Sequence, residues 1–405
     1  MLPVFVLIIA GLVNILVFLL IILSYTTNIL MPFQLIEIII MVLALGFFDY
    51  LVIEKALCLK KRKTFKYVIH VNGIRGKSTT TRLIDAGLRG CGFKVFTKTT
   101  GTLPYMINTN NQDEMVKRLG NANIREQIKM INKAHKEGAE VLVLECMAVN
   151  PELQYISEHQ ILEADVTVIT NVRLDHLQDM GDSLEDIAYA FCNTIPTNGH
   201  LVINDSEYAK IFKEYSKKLN TICHIAKRYE KEETLDTFKE NIAVSLEVAR
   251  ALNLDEEKFF EGMKNYHHDF GAFEKIKLDD MIFLNGLSIN DPESIETVYN
   301  EITKTYDQKD ITILLNSRSD RPTRVLQHID LLSKLTCKKI KVFGSNPTYV
   351  KNKLSKKTNV NIEVLTNIES LKEEKIVFAI GNIGGKGMEI IEYFRKNGEK
   401  LWQWD

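Results

Sequence analysis

The stretch VIHVNGIRGKSTTTR, residues 68–82, carries residue types that can hold a polyphosphate. A β-branched run feeds a glycine-bracketed turn, and a helical pattern opens on threonines directly after it. A strand that turns tightly into a helix aims backbone N–H groups at an anion. Lys77 adds a mobile positive charge for nucleotide phosphates, and the Ser78 hydroxyl suits Mg2+. The common P-loop spacing requires a glycine five residues before Gly76, where Val71 stands. The glycine present is Gly73, so Gly73, Ile74, Arg75, Gly76, Lys77, Ser78 and Thr79 form a shorter candidate cradle.

Three more polar sites follow apolar runs. Glu145 ends VLVLE, a position where a carboxylate is hard to explain as core. Asn171 ends VTVITN, and Asp175 and His176 follow in NVRLDHL. In an open parallel sheet, ligands collect at the carboxyl ends of the strands. Ser78, Glu145 and His176 would then supply phosphate and metal contacts from three neighbouring strand ends. Each also has a plainer reading: Glu145 as a salt-bridged strand terminus, His176 as a hydrogen-bonded loop histidine, Asp175 as a turn cap. The segment Thr99–Thr102 can be a bend with no ligand. The joint spacing favours the chemical reading.

The elements that must position these residues are legible as alternating strand and helix patterns. YVIHV (67–71), VLVLEC (141–146), VTVIT (166–170) and LVIN (201–204) read as strands buried on both faces, which indicates a parallel sheet. Ser183 and Asp186 form a capping-box pair at the start of a helix. A helical stretch over 238–264 closes this region. IFLNG (282–286), ITILLN (311–316), IKVFG (340–344) and IVFAIGN (376–382) begin a second series. The expected class is α/β. A parallel-sheet, P-loop-type ATPase domain over 61–270 precedes a smaller Rossmann-like domain over 271–405, and residues 1–60 form a membrane anchor.

The chain has 405 residues, is 45% hydrophobic and 25% charged, and has a formal net charge of -1, so it offers no electrostatic case for nucleic acid. Its six cysteines are dispersed with no CxxC pair, which excludes a disulfide frame or a cysteine zinc site. The charge is unevenly placed: no Lys or Arg precedes Lys55. Residues 2–23 are uncharged and long enough to span a bilayer, which takes about 20 apolar residues as helix. They have neither the basic start nor the small-residue cleavage site of a signal peptide. Residues 35–53 form a second apolar stretch, read as a second span or as a partner-facing helix, because Glu37 and Asp49 are costly against lipid. The cluster Lys60–Lys63 places the chain after residue 60 in the cytoplasm.

GIRGKSTTT, the Glu145 strand end, TNVRLDHL and NDPES (290–294) together resemble the Mur ligase superfamily, which joins a carboxylate to an amine through an acyl phosphate. TKTTGTLP, LECMAVNPELQ, TNVRLDHLQDMG, GNIGGKG and the apolar N-terminus are similar to the membrane-linked ligase subunits of poly-γ-glutamate synthases. The resemblance covers nearly the whole chain. It implies that Gly73, Gly76, Lys77 and Ser78 hold the phosphates of ATP, with Ser78 on Mg2+. Glu145 is then a magnesium ligand, His176 a ligand of a second magnesium, and Asn171 a contact on the nucleotide side. Asn290 becomes a candidate base contact, Asp320 a ribose contact and Arg321 a phosphate contact. Thr100, Thr102 and Asp175 are candidate substrate contacts. The implied partners are glutamate, a growing polyglutamate chain and other membrane subunits.

Two departures stand out. The helix after the DHL loop has no lysine where many superfamily members carry a carbamylated one; spacing puts that position at about Phe191. Ile289 replaces the histidine of a His-Asn-Pro adenine motif. Two other functions remain open at this point. One is a folylpolyglutamate-type or other Mur-like ligase; the other is a membrane-bound ATPase or nucleotide switch that forms no amide.

Overall fold

The computed structural model describes residues 35–100, 104–118, 122–204, 206–230, 235, 237–268, 273–289, 292–319 and 322–401. The chain divides into two compact units. The first holds the described residues up to Thr100, Tyr105–Arg228 and Ala243–Tyr266; the second holds Tyr229–Ile242 and the chain from His267 onward.

In the first unit eight strands form one sheet in the order β4-β3-β2-β5-β1-β6-β7-β8. They are β1 (Tyr67–Asn72), β2 (Val95–Lys98), β3 (Tyr105–Ile107), β4 (Asp113–Met115), β5 (Val141–Glu145), β6 (Val166–Ile169), β7 (His200–Asn204) and β8 (Ile222–Ala226). The six strands from β2 to β8 in that order are parallel, while β3 and β4 add an antiparallel edge that the sequence patterns did not reveal. β5, β1 and β6 are almost wholly buried, as their continuous apolar runs require.

The helix Lys77–Gly90 follows β1 and packs on the helix Glu256–Met263 through glycines. A Cβ at Gly87 would lie 2.4 Å from the Phe259 ring, and one at Gly90 would lie 2.6 Å from the Gly262 Cα. The expected single helix over 238–264 is two, Lys239–Ala251 and Glu256–Met263. Asn253 takes a left-handed φ of 53° between them, and Asp255 caps the second by accepting from the Glu257 and Lys258 N–H groups. The Ser183–Asp186 capping box forms as the sequence predicts.

The second unit carries a seven-stranded sheet, ordered β13-β12-β11-β14-β10-β9-β15. Its strands are β9 (Glu274–Leu278), β10 (Met281–Asn285), β11 (Ile311–Ser317), β12 (Lys339–Gly344), β13 (Asn361–Val364), β14 (Ile376–Ile380) and β15 (Glu399–Leu401). β10 to β14 are parallel, and β9 pairs antiparallel with β10 and β15. Apolar clusters cover both faces of this sheet.

Before β1 runs a 28-residue helix, Leu35–Arg62. Its last turns dock on the first unit. Arg62 donates from Nε to the Leu162 carbonyl at 2.8 Å and pairs with Asp165 at 2.9 Å, and Lys61 donates to Asn132 Oδ1 at 2.7 Å. Its earlier turns leave Ile40, Leu43, Phe47 and Phe48 exposed. The stretch 35–53, read as a second span or as a partner-facing helix, is the start of a helix that continues through Glu54 and Lys55 into its docked end. Among the described residues, no helix is long and apolar enough to cross a membrane. Residues 2–23, the other proposed span, lie outside the described residues.

One buried ion pair ties the central strand to a neighbouring turn. His70 Nδ1, in β1, lies 2.7 Å from Glu158 Oε2, and both side chains are inaccessible to solvent. Glu158 sits in the π-helical turn Ser157–Leu162 and accepts from the Ala164 N–H at 2.8 Å through its other oxygen. Burial works against the His70 charge, but Cys146 and the Glu158 hydrogen bond outweigh it and raise its pKa to about 10. Because the folded value lies above the unfolded one, this stabilisation is complete below pH 6.5 and falls away as the pH rises through about 10. Glu158→Gln should cost about 3–5 kcal/mol, the usual loss when one partner of a buried pair is removed. Denaturant unfolding of both proteins from pH 6 to 10 measures it, and the difference should shrink toward the alkaline end.

Candidate functional site

The phosphate turn leaves β1 through two glycines in backbone conformations closed to most residues. Gly73 has φ 125° and Gly76 has φ 76°. Gly73 passes so close to the end of β6 that a Cβ there would stand 2.1 Å from Thr170 Oγ1. Gly76 begins the helix Lys77–Gly90, and no side chain caps that N-terminus. Its first N–H groups therefore face outward, as an anion site requires.

Side chains from the strand ends lace the turn. Asn72 Oδ1 accepts from the Gly73 N–H at 2.8 Å. Asn171 accepts from the Arg75 N–H through Oδ1 and donates to the Arg75 carbonyl through Nδ2, both at 3.0 Å. Thr170 Oγ1 donates to the same carbonyl at 2.6 Å. Asn171, expected beside the nucleotide, is thus engaged in shaping the loop itself. Asp175 pairs with Arg75 at 3.0 Å and accepts from the His176 N–H at 2.9 Å.

Lys77 folds back over its own loop and donates to the carbonyls of Gly73 at 2.7 Å and Ile74 at 3.4 Å. Burial lowers its pKa, with Glu145 pulling the other way. Both acceptors are neutral and replaceable, so an incoming phosphate can draw the ammonium outward. Ser78 Oγ donates to Glu145 Oε2 at 2.8 Å, which brings together the two residues expected to share a metal. Thr100 also binds Glu145, through its N–H at 2.7 Å and its hydroxyl at 2.5 Å.

A hydroxyl and a carboxylate side by side, beside a phosphate cradle, form the all-oxygen donor set that Mg2+ favours, with phosphate and water completing its shell. The residues present fit that ion. His176 occupies a left-handed position, φ 53°, at the start of the four-residue helix Leu177–Met180, with Nε2 3.9 Å from Asp175. Among the described residues, no group of three or more His, Cys, Asp or Glu side chains could hold a metal. The position expected for a carbamylated lysine, Phe191, lies in the apolar core with Ile187 and Ile195. Thr102, Asn290, Asp320 and Arg321 lie outside the described residues.

In the second unit the GNIGGKG motif forms the turn from β14 into the helix Lys386–Asn397. Asn316 donates to the Asn382 and Gly384 carbonyls at 2.5 and 3.3 Å, and Arg318 donates to Asn382 Oδ1 at 3.2 Å. The motif is visible in the sequence without a role, and Asn316 and Arg318 do not stand out there. The signal that could have found them is their place at the end of ITILLN, the same strand-end logic that finds Glu145.

Replacing Gly73 with Ala should destabilise the first unit by about 1–3 kcal/mol, from the strained φ and the clash with Thr170. Thermal melting measures that loss, and nucleotide binding should weaken with it.

The Mur ligase middle domain matches residues 71–264, and the C-terminal domain of poly-gamma-glutamate synthase CapB matches residues 272–397. The chain is 35% identical over 349 residues to the PGA synthase CapB of Bacillus subtilis, covering 80% of this chain and 89% of that one. It is 32% identical over 358 residues to a capsule biosynthesis protein CapB of Bacillus anthracis, covering 82% and 77%. In fold it is similar to Mycobacterium tuberculosis folylpolyglutamate synthase complexed with ADP, with a TM-score of 0.65, 12% identity and coverage of 85% and 94%. Escherichia coli FolC in complex with ADP gives 0.62, 14% identity and coverage of 84% and 93%. The chain belongs to the CapB family of poly-γ-glutamate synthases within the Mur ligase superfamily, and it is an ATP-dependent amide ligase.

Proposed function

We propose that this chain activates a glutamyl carboxylate with ATP and couples it to the amine of glutamate, extending a poly-γ-glutamate chain. The observation that carries the reading is the Ser78–Glu145 pair set beside the Lys77 cradle. A carboxylate is a poor electrophile, because its charge repels the amine and oxide is not a viable leaving group. Phosphoryl transfer to one carboxylate oxygen removes both obstacles, and phosphate then departs as the amine attacks. Lys77 neutralises charge on the transferring group, and the loop N–H groups orient it. Mg2+ held at Ser78 and Glu145 would supply electrostatic stabilisation of that group.

The apolar residues 2–23 and the exposed apolar turns of the helix Leu35–Arg62 support a membrane anchor, with both units on the cytoplasmic side of Lys60–Lys63. One or two short apolar segments cannot enclose a path for a polyanion, so other membrane subunits complete the assembly.

The test is to incubate membranes carrying the full chain with labelled glutamate, ATP and Mg2+, and to measure polymer mass and phosphate release. Glutamate-dependent phosphate and a ladder of glutamyl polymers are expected. Lys77→Ala should cut both by at least about 10^2-fold, the scale of losing one preorganised charge contact. Phosphate release that ignores glutamate and yields no amide would instead identify a nucleotide switch. Retention of the chain in the membrane fraction at alkaline pH checks the anchor.

A further inference from the structure

We infer that Lys98 and Arg118 form a carboxylate subsite for the non-reacting α-carboxylate of the glutamyl residue being activated; this rests on the glutamate-ligase reading and deepens it. Lys98 ends β2, and its side chain is inaccessible to solvent. A lysine is rarely buried in full unless its charge is paired. Its partner is Glu126, the first residue of the helix Glu126–Lys136, with Nζ 2.6 Å from Oε1. That carboxylate is already engaged. Arg118 holds both of its oxygens, donating from Nε to Oε2 at 2.7 Å and from Nη2 to Oε1 at 3.1 Å.

A bidentate arginine–carboxylate pair is neutral by itself, so Lys98 leaves one positive charge over. Among the described residues, no second carboxylate lies within ion-pairing distance of either cation. Burial lowers the Lys98 pKa although Glu126 pulls the other way, as befits a cation with too little negative charge around it. An incoming anion would complete the balance, and the place of the cluster says which anion. The phosphate cradle follows β1 and the cluster ends β2, with the Glu145 strand between them. Lys98 stands opposite Leu144, and its Nζ is 3.7 Å from the sulfur of Met147, just past that strand end. A substrate lying across these strand ends turns its reacting carboxylate to the cradle and a second carboxylate to Lys98. Glutamate carries two carboxylates on one short chain, and every γ-linked residue keeps its α-carboxylate. Arg118 stays partly exposed, which leaves the cluster open to such a ligand.

The experiment measures equilibrium binding of tri-γ-glutamate, labelled at its amine end, to the full-length protein with AMP-PNP and Mg2+. A second probe carries a carboxamide in place of the α-carboxylate of its last residue. The wild-type protein should bind the parent about 10- to 100-fold more tightly, the scale of a hydrogen bond to a charged group. In Arg118→Gln, Lys98 and Glu126 neutralise each other; in Lys98→Met, Arg118 and Glu126 do. Either variant should lose the preference and keep wild-type affinity for the carboxamide and for AMP-PNP. Arg118→Gln changes a partly exposed position, and Lys98→Met replaces it if it melts below assay temperature. A wild-type protein without the preference, or a folded variant that retains it, overturns the assignment. So does weaker AMP-PNP binding with the preference intact, which would make the cluster a structural tie. Glutamate-dependent phosphate release keeps the two claims apart. Amide formation without an Arg118-dependent preference sinks the subsite alone, and that preference without amide formation sinks the ligase reading alone.

Discussion

A buried carboxylate at the end of the central parallel strands is the constraint around which the first unit is organised. Glu145 is buried, and a polar group away from water needs hydrogen-bond partners. The strand order β2-β5-β1 delivers them: β5 carries Glu145, β1 leads to Ser78 on one side, and β2 leads to Thr100 on the other. Moving β5 from between β2 and β1 would take the carboxylate away from these donors. The antiparallel β3 and β4, which look dispensable to the nucleotide chemistry, hold the segment from which Thr100 reaches inward.

The phosphate turn follows the same logic of close approach. It runs against the end of β6 so tightly that only glycine fits at residue 73, and Thr170 and Asn171 close on the Arg75 carbonyl. The cradle is therefore rigid where N–H groups must stay aimed. Within it the Lys77 ammonium is held by loop carbonyls, neutral acceptors that a phosphate can replace. Fixed dipoles with a single movable charge suit a site that receives and releases a phosphate group at each turnover.

The helix Leu35–Arg62 joins two environments in one element. Its C-terminal turns are bound by ion pairs and hydrogen bonds to the first unit, whereas its apolar N-terminal turns find no core to enter among the described residues. The His70–Glu158 pair lies behind the phosphate turn, where it joins the central strand to the π-helical turn.

Much of this was legible in the chain itself. Local rules set the glycine-bracketed turn, the capping box at Ser183 and the buried strands, because backbone conformation and hydrophobic pattern act over a few residues. Strand-end logic found Glu145, because a charged residue ending an apolar run has little other explanation. The break at Asn253 and the short edge strands β3 and β4 were hidden, since three-residue strands carry no pattern and their pairing is set by distant partners. What the sequence determined alone was an α/β ligase with its glycine-bracketed turn and its strand-end carboxylate. Only the tertiary structure decided that Asn171 serves the loop, that Asp175 pairs with Arg75, and that Thr100 serves Glu145. Those roles depend on which side chains meet across strands up to about a hundred residues apart in sequence, and hydrogen-bond geometry at that range follows the order of the sheet.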